Sequence, residues 1–328
     1  MSAAAVEQLL VDSRWRPPRS HLPSYRGPGI LTGDEADWRD KLIMVDRLRC
    51  EAARDDVNAF IEYAIPDERG QPIQQQWFHE DWHAHLDAHR LGMIKAPRSH
   101  GKTTQLVTGR ILWRLGRDPS LRIKIVCESD SRAAERLIEI RTHIESNPHV
   151  RAVFPDLRPA ARHQWTTHKL NVAHAGIHRD ASVEALGVLS SATGGRADIL
   201  VADDIVGRRT GLQMPELRKS TIRAWDSDWM QLLERDGEVW YIGTPWHPQD
   251  VTHAIERRGQ FAVMSTEIED PDHPIWIPNW DATALREKLA VIGSVEFARA
   301  YQLRATGDDQ SIIRSEWIRY FDEEETCA

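Results

Sequence analysis

From about Arg90 onward, short apolar runs alternate with amphipathic stretches of ten to sixteen residues. Strands covered on both faces read as continuous apolar runs, so this rhythm predicts strand-helix-strand units building a parallel sheet. The spacing places strands at 91–96, 122–127, 182–187, 198–202, 238–243 and 261–267, with helices at about 102–116, 130–146, 215–234 and 248–258. Asn147-Pro148 ends the second of these helices, because the residue before a proline is pushed out of the α region. Two terminal helices, 281–291 and 294–304, are expected to follow. Upstream, from Glu35 to Ala64, Trp38, Leu42, Val45, Leu48, Val57, Phe60 and Ile61 recur with helical spacing and predict an all-helical preface. Residues 1–34 contain W-R-P-P-R-S-H-L-P-S-Y-R-G-P-G, whose prolines lack N–H groups and fix φ, so a flexible Pro/Arg-rich arm is expected there.

Composition narrows the class without changing that picture. The chain has 328 residues, 41% of them hydrophobic and 28% charged, which suits one large globular α/β domain with appendages. The longest apolar runs, such as 199–202 and 239–242, fall far short of the roughly 20 residues needed to span a bilayer. The start M-S-A-A-A-V-E-Q-L-L-V-D turns acidic and polar at once, so no secretory leader is expected. Cys50, Cys127 and Cys327 are odd in number and far apart, which argues against a disulfide framework or a zinc site. A net charge of -8 excludes a surface that coats nucleic acid throughout, and leaves DNA contact to local basic stripes.

Three segments carry chemistry. Leu91-Gly-Met-Ile-Lys-Ala-Pro-Arg-Ser-His-Gly-Lys-Thr-Thr104 reads as a buried strand, a tight loop and the first turn of a helix, and fits [AG]-x4-G-K-[ST] with Ala96 at the first position. Backbone N–H groups around Ser99 to Lys102, with the positive end of the following helix, would neutralise phosphate charge. Gly101 lets the backbone approach, Lys102 would reach the β- and γ-phosphates, and the Thr103 hydroxyl would complete a magnesium shell. The bland alternative is an ordinary strand-to-helix turn with an exposed lysine. About a hundred residues on, Ala197-Asp-Ile-Leu-Val-Ala-Asp-Asp204 is an apolar strand ending in two carboxylates. Magnesium prefers carboxylate and water oxygens, so Asp203 is the candidate magnesium partner and Asp204 the candidate base or orienter of an attacking water. The third segment, Val239-Trp-Tyr-Ile-Gly-Thr-Pro-Trp-His247, again places a hydroxyl after a strand, and Thr244 is a candidate γ-phosphate sensor.

In this order the motifs resemble the ATPase domain of large terminase subunits of tailed bacteriophages, over about residues 72–320. The resemblance rests on Gln76-Trp77-Phe78-His79, A-P-R-S-H-G-K-T-T at 96–104, T-G-G-R-A-D-I-L-V-A-D-D at 193–204, Y-I-G-T-P-W-H-P-Q-D at 241–250 and F-A-R-A-Y-Q-L-R-A at 297–305. It implies a RecA-like P-loop ATPase over 35–305, with a mainly parallel central sheet flanked by helices and a helical preface at 35–89. Adenine would lie near Gln76 and Trp77. ATP would be held by Ala96, Pro97, Arg98, Ser99, His100, Gly101, Lys102, Thr103 and Thr104, and Mg2+ by Thr103 and Asp203. Asp204, Arg98, Lys102 and Thr244 would be the catalytic group, with Arg98 stabilising the charge on the transferred phosphate and Thr244 coupling hydrolysis to movement. An arginine acting in trans could come from Arg132, Arg136 or Arg141.

The function so implied is an ATP-hydrolysing motor that drives viral double-stranded DNA into a procapsid. It would form a homo-oligomeric ring in the host cytoplasm, docked transiently on the portal protein, with a small terminase subunit as a further partner and, if the nuclease is encoded separately, a separate nuclease chain. The family usually continues into a nuclease domain. Here 306–328 reads as a linker, and Asp308, Asp309 and Glu316 cannot make that domain, so no nuclease activity is expected from this chain. A helicase or DNA-repair P-loop ATPase, and a non-hydrolysing nucleotide-dependent switch, are the rival readings. His79-Glu80-Asp81-Trp82-His83 matches H-E-x-x-H, but it falls where the family has an ordinary helix, and a zinc protease is discounted.

Overall fold

Alternation along the strands decides the architecture. Ile94, Ile123, Ile125, Cys127, Ile199, Val201, Trp240 and Ile242 point to one side of a sheet and join one buried cluster. Met93, Val126, Leu200, Ala202, Val239 and Tyr241, their immediate neighbours in sequence, join another on the opposite side. A sheet buried on both faces needs two helical layers, and it has them. The computed structural model describes residues 33–67, 69–161, 165–176, 179–190 and 194–305. The expected arm up to residue 32 and the expected linker from 306 lie outside the described residues.

The helical preface consists of α1 (Gly33–Asp55) and α2 (Val57–Ala64), separated at Asp56, whose carboxylate caps α2 by accepting from the Ala59 N–H. After α3 (Trp77–Ala88) come β1 (Leu91–Lys95), a wide π turn at Thr103–Gly109 that runs into α4 (Arg110–Arg117), β2 (Ile123–Cys127), α5 (Asp130–Ser146) and α6 (Pro148–Val153). The two-residue β3 (Lys169–Leu170), β4 (Val183–Gly187) and β5 (Ala197–Asp203) lead to α7 (Pro215–Ala224), β6 (Leu233–Gly243), α8 (Val251–Arg258), β7 (Ala262–Ser265) and α9 (Ala282–Ala300). Helices α2 to α5 supply Phe60, Trp82, Ile111 and Leu137 to the first cluster, while the segment after β5, with Leu212, Trp225 and Trp229, and Ile255 of α8 fill the second.

The sheet order is β3-β4-β2-β5-β6-β1-β7. All neighbours are parallel except β3, which pairs antiparallel with β4 at the edge. The mainly parallel α/β fold expected from the sequence is the fold observed. The order also sets the acidic strand β5 one strand away from β1, with β6 inserted between them. No helix among the described residues is long and apolar enough to cross a membrane.

Three boundaries differ from the sequence expectation, each for a local reason. The helix expected over 215–234 ends at Ala224, passes through a π turn at Trp225–Trp229 and a 3-10 turn at Met230–Leu232, and gives way to β6 at Leu233. Leu233 pairs with Ala197 and Glu238 with Ile199, so residues 234–237 bulge out of the ladder. The helix expected from 248 starts at Val251, because the buried Asp250 carboxylate accepts from the His253 N–H as its N-cap. The two terminal helices are parted as expected, at Gly293 (φ 79, ψ 165) in a conformation open to glycine, but the second ends at Ala300 instead of 304, where Tyr301 caps it and Leu303 turns left-handed (φ 56).

Candidate nucleotide-binding site

Lys95 ends β1, and the chain turns through Ala96 to Lys102 before re-entering a helix. Ser99 (φ 60) and Gly101 (φ 83) are both left-handed, the alternation by which successive backbone amides come to face a common concavity. A β-carbon on Gly101 would stand 3.3 Å from His79 Nε2, so a larger residue would be both strained and crowded. The loop's carbonyls are tied outward. His79 Nε2 donates to the His100 carbonyl at 3.0 Å, Trp280 Nε1 to the Ser99 carbonyl at 3.0 Å, and the His100 ring to the Arg98 carbonyl at 2.8 Å. Ala96 and Arg98 donate their own N–H groups to the Gly243 and Ala300 carbonyls, so the amides from Ser99 to Lys102 are the ones left for an anion.

The three chemical segments meet at the carboxyl ends of three adjacent strands, where ligands bind in open α/β sheets. Lys102, 6% exposed, donates from Nζ to Thr244 Oγ1 at 2.6 Å, to the Ala96 carbonyl at 3.3 Å and to Asp204 Oδ1 at 3.4 Å. The Thr244 hydroxyl donates in turn to the Ala96 carbonyl at 3.0 Å, and the Thr244 N–H to Asp204 Oδ1 at 3.1 Å. Asp204 has φ 45, and this left-handed turn directs its side chain back across the end of β6. Thr103 Oγ1 donates to Asp203 Oδ1 at 3.4 Å, while Arg136 Nε on α5 donates to Asp203 Oδ2 at 2.8 Å. Burial and the adjacent Asp204 push the Asp203 carboxyl above its ordinary value, opposed by Arg136 and Lys102.

The remaining residues singled out from the sequence sit around this centre. Pro97 is buried at the start of the loop, and Thr104 lies in the π turn behind Thr103. The Arg98 guanidinium lies over the Trp246 ring, 4.5 Å from its centroid. Gln76 caps α3, and Trp77 is 57% exposed beside it. The contacts between this segment and the phosphate loop run through the neighbouring residues, Gln75 and His79. Gln75 and Gln105 exchange paired amide bonds of 2.9 and 2.6 Å. Of the three arginines on α5, Arg136 turns toward Asp203 of its own chain, and Arg141 pairs with Glu145.

His79 and His83, the two histidines of the H-E-x-x-H match, share the inward face of α3, and their ring nitrogens are engaged. His79 Nδ1 accepts from the Gln76 N–H at 3.3 Å, and His83 bridges Gln105 and Arg110. Burial lowers His79 to about 4, His83 to about 3 and His100 to about 4. All three are neutral in the folded protein at pH 7 while the unfolded chain titrates near 6.5. The stability they contribute is complete above pH 6.5 and is lost as pH falls toward 4, with a slope approaching 4 kcal/mol per pH unit, about 1.4 for each of three protons. Urea midpoints measured from pH 7.5 to 5 should drop steeply, and a flat profile would contradict these environments.

A buried parallel sheet with a lysine and hydroxyl at the head of one helix, facing an acidic strand tip, defines a P-loop α/β fold. No protein-family model matches the chain. In sequence it is 32% identical over 113 residues to the terminase large subunit of Enterobacteria phage T3, covering 34% of this chain and 18% of that protein. In structure it matches the HK97 bacteriophage large terminase at a TM-score of 0.52 and 17% identity, covering 77% of this chain and 55% of that one. The Thermus phage P74-26 large terminase ATPase domain aligns over 74% of this chain and 99% of its own length at 15% identity, with a TM-score of 0.43. Over those 113 residues the chain is thus similar in sequence to a bacteriophage large terminase subunit, and over most of its length it shares the fold of the HK97 protein. It spans about half the length of the HK97 protein and under a fifth of the T3 subunit.

Proposed function

We propose that this chain is the ATP-hydrolysing motor of a large terminase, driving viral double-stranded DNA into a procapsid. The observation that carries the reading is the convergence of Lys102, Thr103, Asp203, Asp204 and Thr244 at the carboxyl ends of β1, β5 and β6. ATP would bind with its phosphates in the loop from Ala96 to Thr104 and its base toward Gln76 and Trp77. Thr103 and Asp203 present hard oxygen donors side by side, a set that suits magnesium. When bound, Mg2+ would neutralise charge on the β- and γ-phosphate oxygens. Lys102 would shift from Thr244 to the phosphates, and Asp204 would orient the attacking water. Arg98 would leave Trp246 to stabilise the transferred group, and Thr244 would relay phosphate loss to β6 and the loop after it.

The P-loop domain would extend over 35–305, with 35–89 as its helical preface. It would act as a homo-oligomeric ring on the portal in the host cytoplasm, with a small terminase subunit as partner. Purified protein with magnesium should release phosphate from ATP, and linear double-stranded DNA should raise that rate several-fold without displacing a strand from a forked duplex. ATP binding with no phosphate release, with or without DNA, would replace the motor by a switch, and strand displacement would make it a helicase.

A further inference from the structure

Asp203 is 2% exposed and lies beside a second carboxylate, an arrangement that cannot hold its charge without a cation at close range. Lys102 contacts Asp204 and not Asp203, so the cation on Asp203 is Arg136. The contact is specific to one oxygen. Arg136 Nε bonds Oδ2, and Oδ1 is left facing the Thr103 hydroxyl, on the side where the phosphate loop turns into its helix. Held at Oδ2 from α5, the carboxylate presents Oδ1 to the Thr103 side.

Resting on the nucleotide reading above, we infer that Arg136 is a positioning residue for the metal, acting in cis by locking the Asp203 carboxylate with Oδ1 toward Thr103. It sits on α5, the helix after β2, and β2 is the strand paired with β5, so the register Cys127↔Asp203 brings the start of that helix alongside the acidic tip. The same geometry counts against a role in trans. An arginine that reached into a neighbouring subunit would abandon a buried carboxylate in its own, and such an unpaired charge is costly.

The test is the magnesium dependence of nucleotide binding by the full chain, read with a fluorescent ATP analogue at protein concentrations where it is monomeric. Outer partners of metal ligands typically set affinity by about 10- to 100-fold, and Arg136→Gln should raise the magnesium concentration for half-saturation by about tenfold, with Arg136→Lys intermediate. Melting temperature without nucleotide separates this from unfolding, and a variant that does not fold is replaced by Arg136→Lys alone. An unchanged magnesium midpoint in a folded variant overturns the inference. So does restored hydrolysis on mixing Arg136→Gln with Asp204→Asn subunits, since complementation requires action across an interface. If the wild-type chain binds no nucleotide at any magnesium concentration, the nucleotide reading itself fails.

Discussion

Lys102→Ala protein is expected to fold and to lose ATP hydrolysis by about 100-fold or more, the scale on which removing one preorganised donor to a developing negative charge acts. The reason lies in the site's charge arrangement. Asp203 and Asp204 are answered by two cations, Arg136 on the first and Lys102 on the second. Without Lys102 the approaching polyphosphate meets Asp204 with no compensating charge, so binding and the chemical step should both suffer. The backbone of the loop is fixed by other contacts, from His79, Trp280 and the Arg98 N–H to the Ala300 carbonyl, and none of them involves Lys102. Melting temperature should therefore change little while phosphate release collapses. Lys102→Arg should not rescue it, because a planar fork does not fit the space of a point charge bonded to Thr244 Oγ1 and the Ala96 carbonyl together. Hydrolysis within a few-fold of wild type in the alanine variant would remove Lys102 from the mechanism.

The sheet was legible because its strands are covered on both sides. Ile123-Lys-Ile-Val-Cys127 and Ala197-Asp-Ile-Leu-Val-Ala-Asp203 are apolar enough to stand out, and both fall within a residue of where the pattern placed them. Where periodicity failed, a local feature overrode it. Trp225, Trp229, Leu232 and Leu233 continue the helical spacing of α7, and only pairing with Ala197 pulls Leu233 into a strand. β3 has two residues and no period to detect. The wide π turn at Thr103–Gly109 also left no trace in the sequence.

The site was legible in its three tips, each a polar residue closing an apolar run, but its scaffolding was not. Trp280 reaches Ser99 across 181 positions from a loop without periodicity, and nothing in its neighbours marks it. Gln75 precedes the Gln76–His79 motif and His79 closes it, and the role of both shows only when α3 is seen packed on the loop. Arg136 reads in sequence as one of three arginines on an amphipathic helix, where solvation is the ordinary fate. Strand order gives it a different one, since β2 lies beside β5 and the arginine cannot be placed against Asp203 until that is known.

The second large effect separates binding from chemistry. Asp204→Asn is expected to leave nucleotide affinity within a few-fold of wild type and to lower kcat by about 10²- to 10⁴-fold, the usual contribution of a positioned general base. Asparagine is the informative substitution because residue 204 has φ 45, a conformation that Asn tolerates as readily as Asp and that strains alanine. Its carbonyl oxygen can still accept from the Thr244 N–H and from Lys102, so the turn across β6 keeps its two bonds. What the amide lacks is a charge able to draw a proton from water. Losing that charge also relieves repulsion on Asp203, which should hold or slightly improve magnesium-dependent binding. Asp203→Asn should behave in the opposite way, raising the magnesium requirement and weakening binding, because there the lost charge would be the metal's partner in the proposed site. Measuring kcat and nucleotide affinity for both variants distinguishes the two carboxylates, and equal effects of both on binding would mean that 203 and 204 do not divide the work.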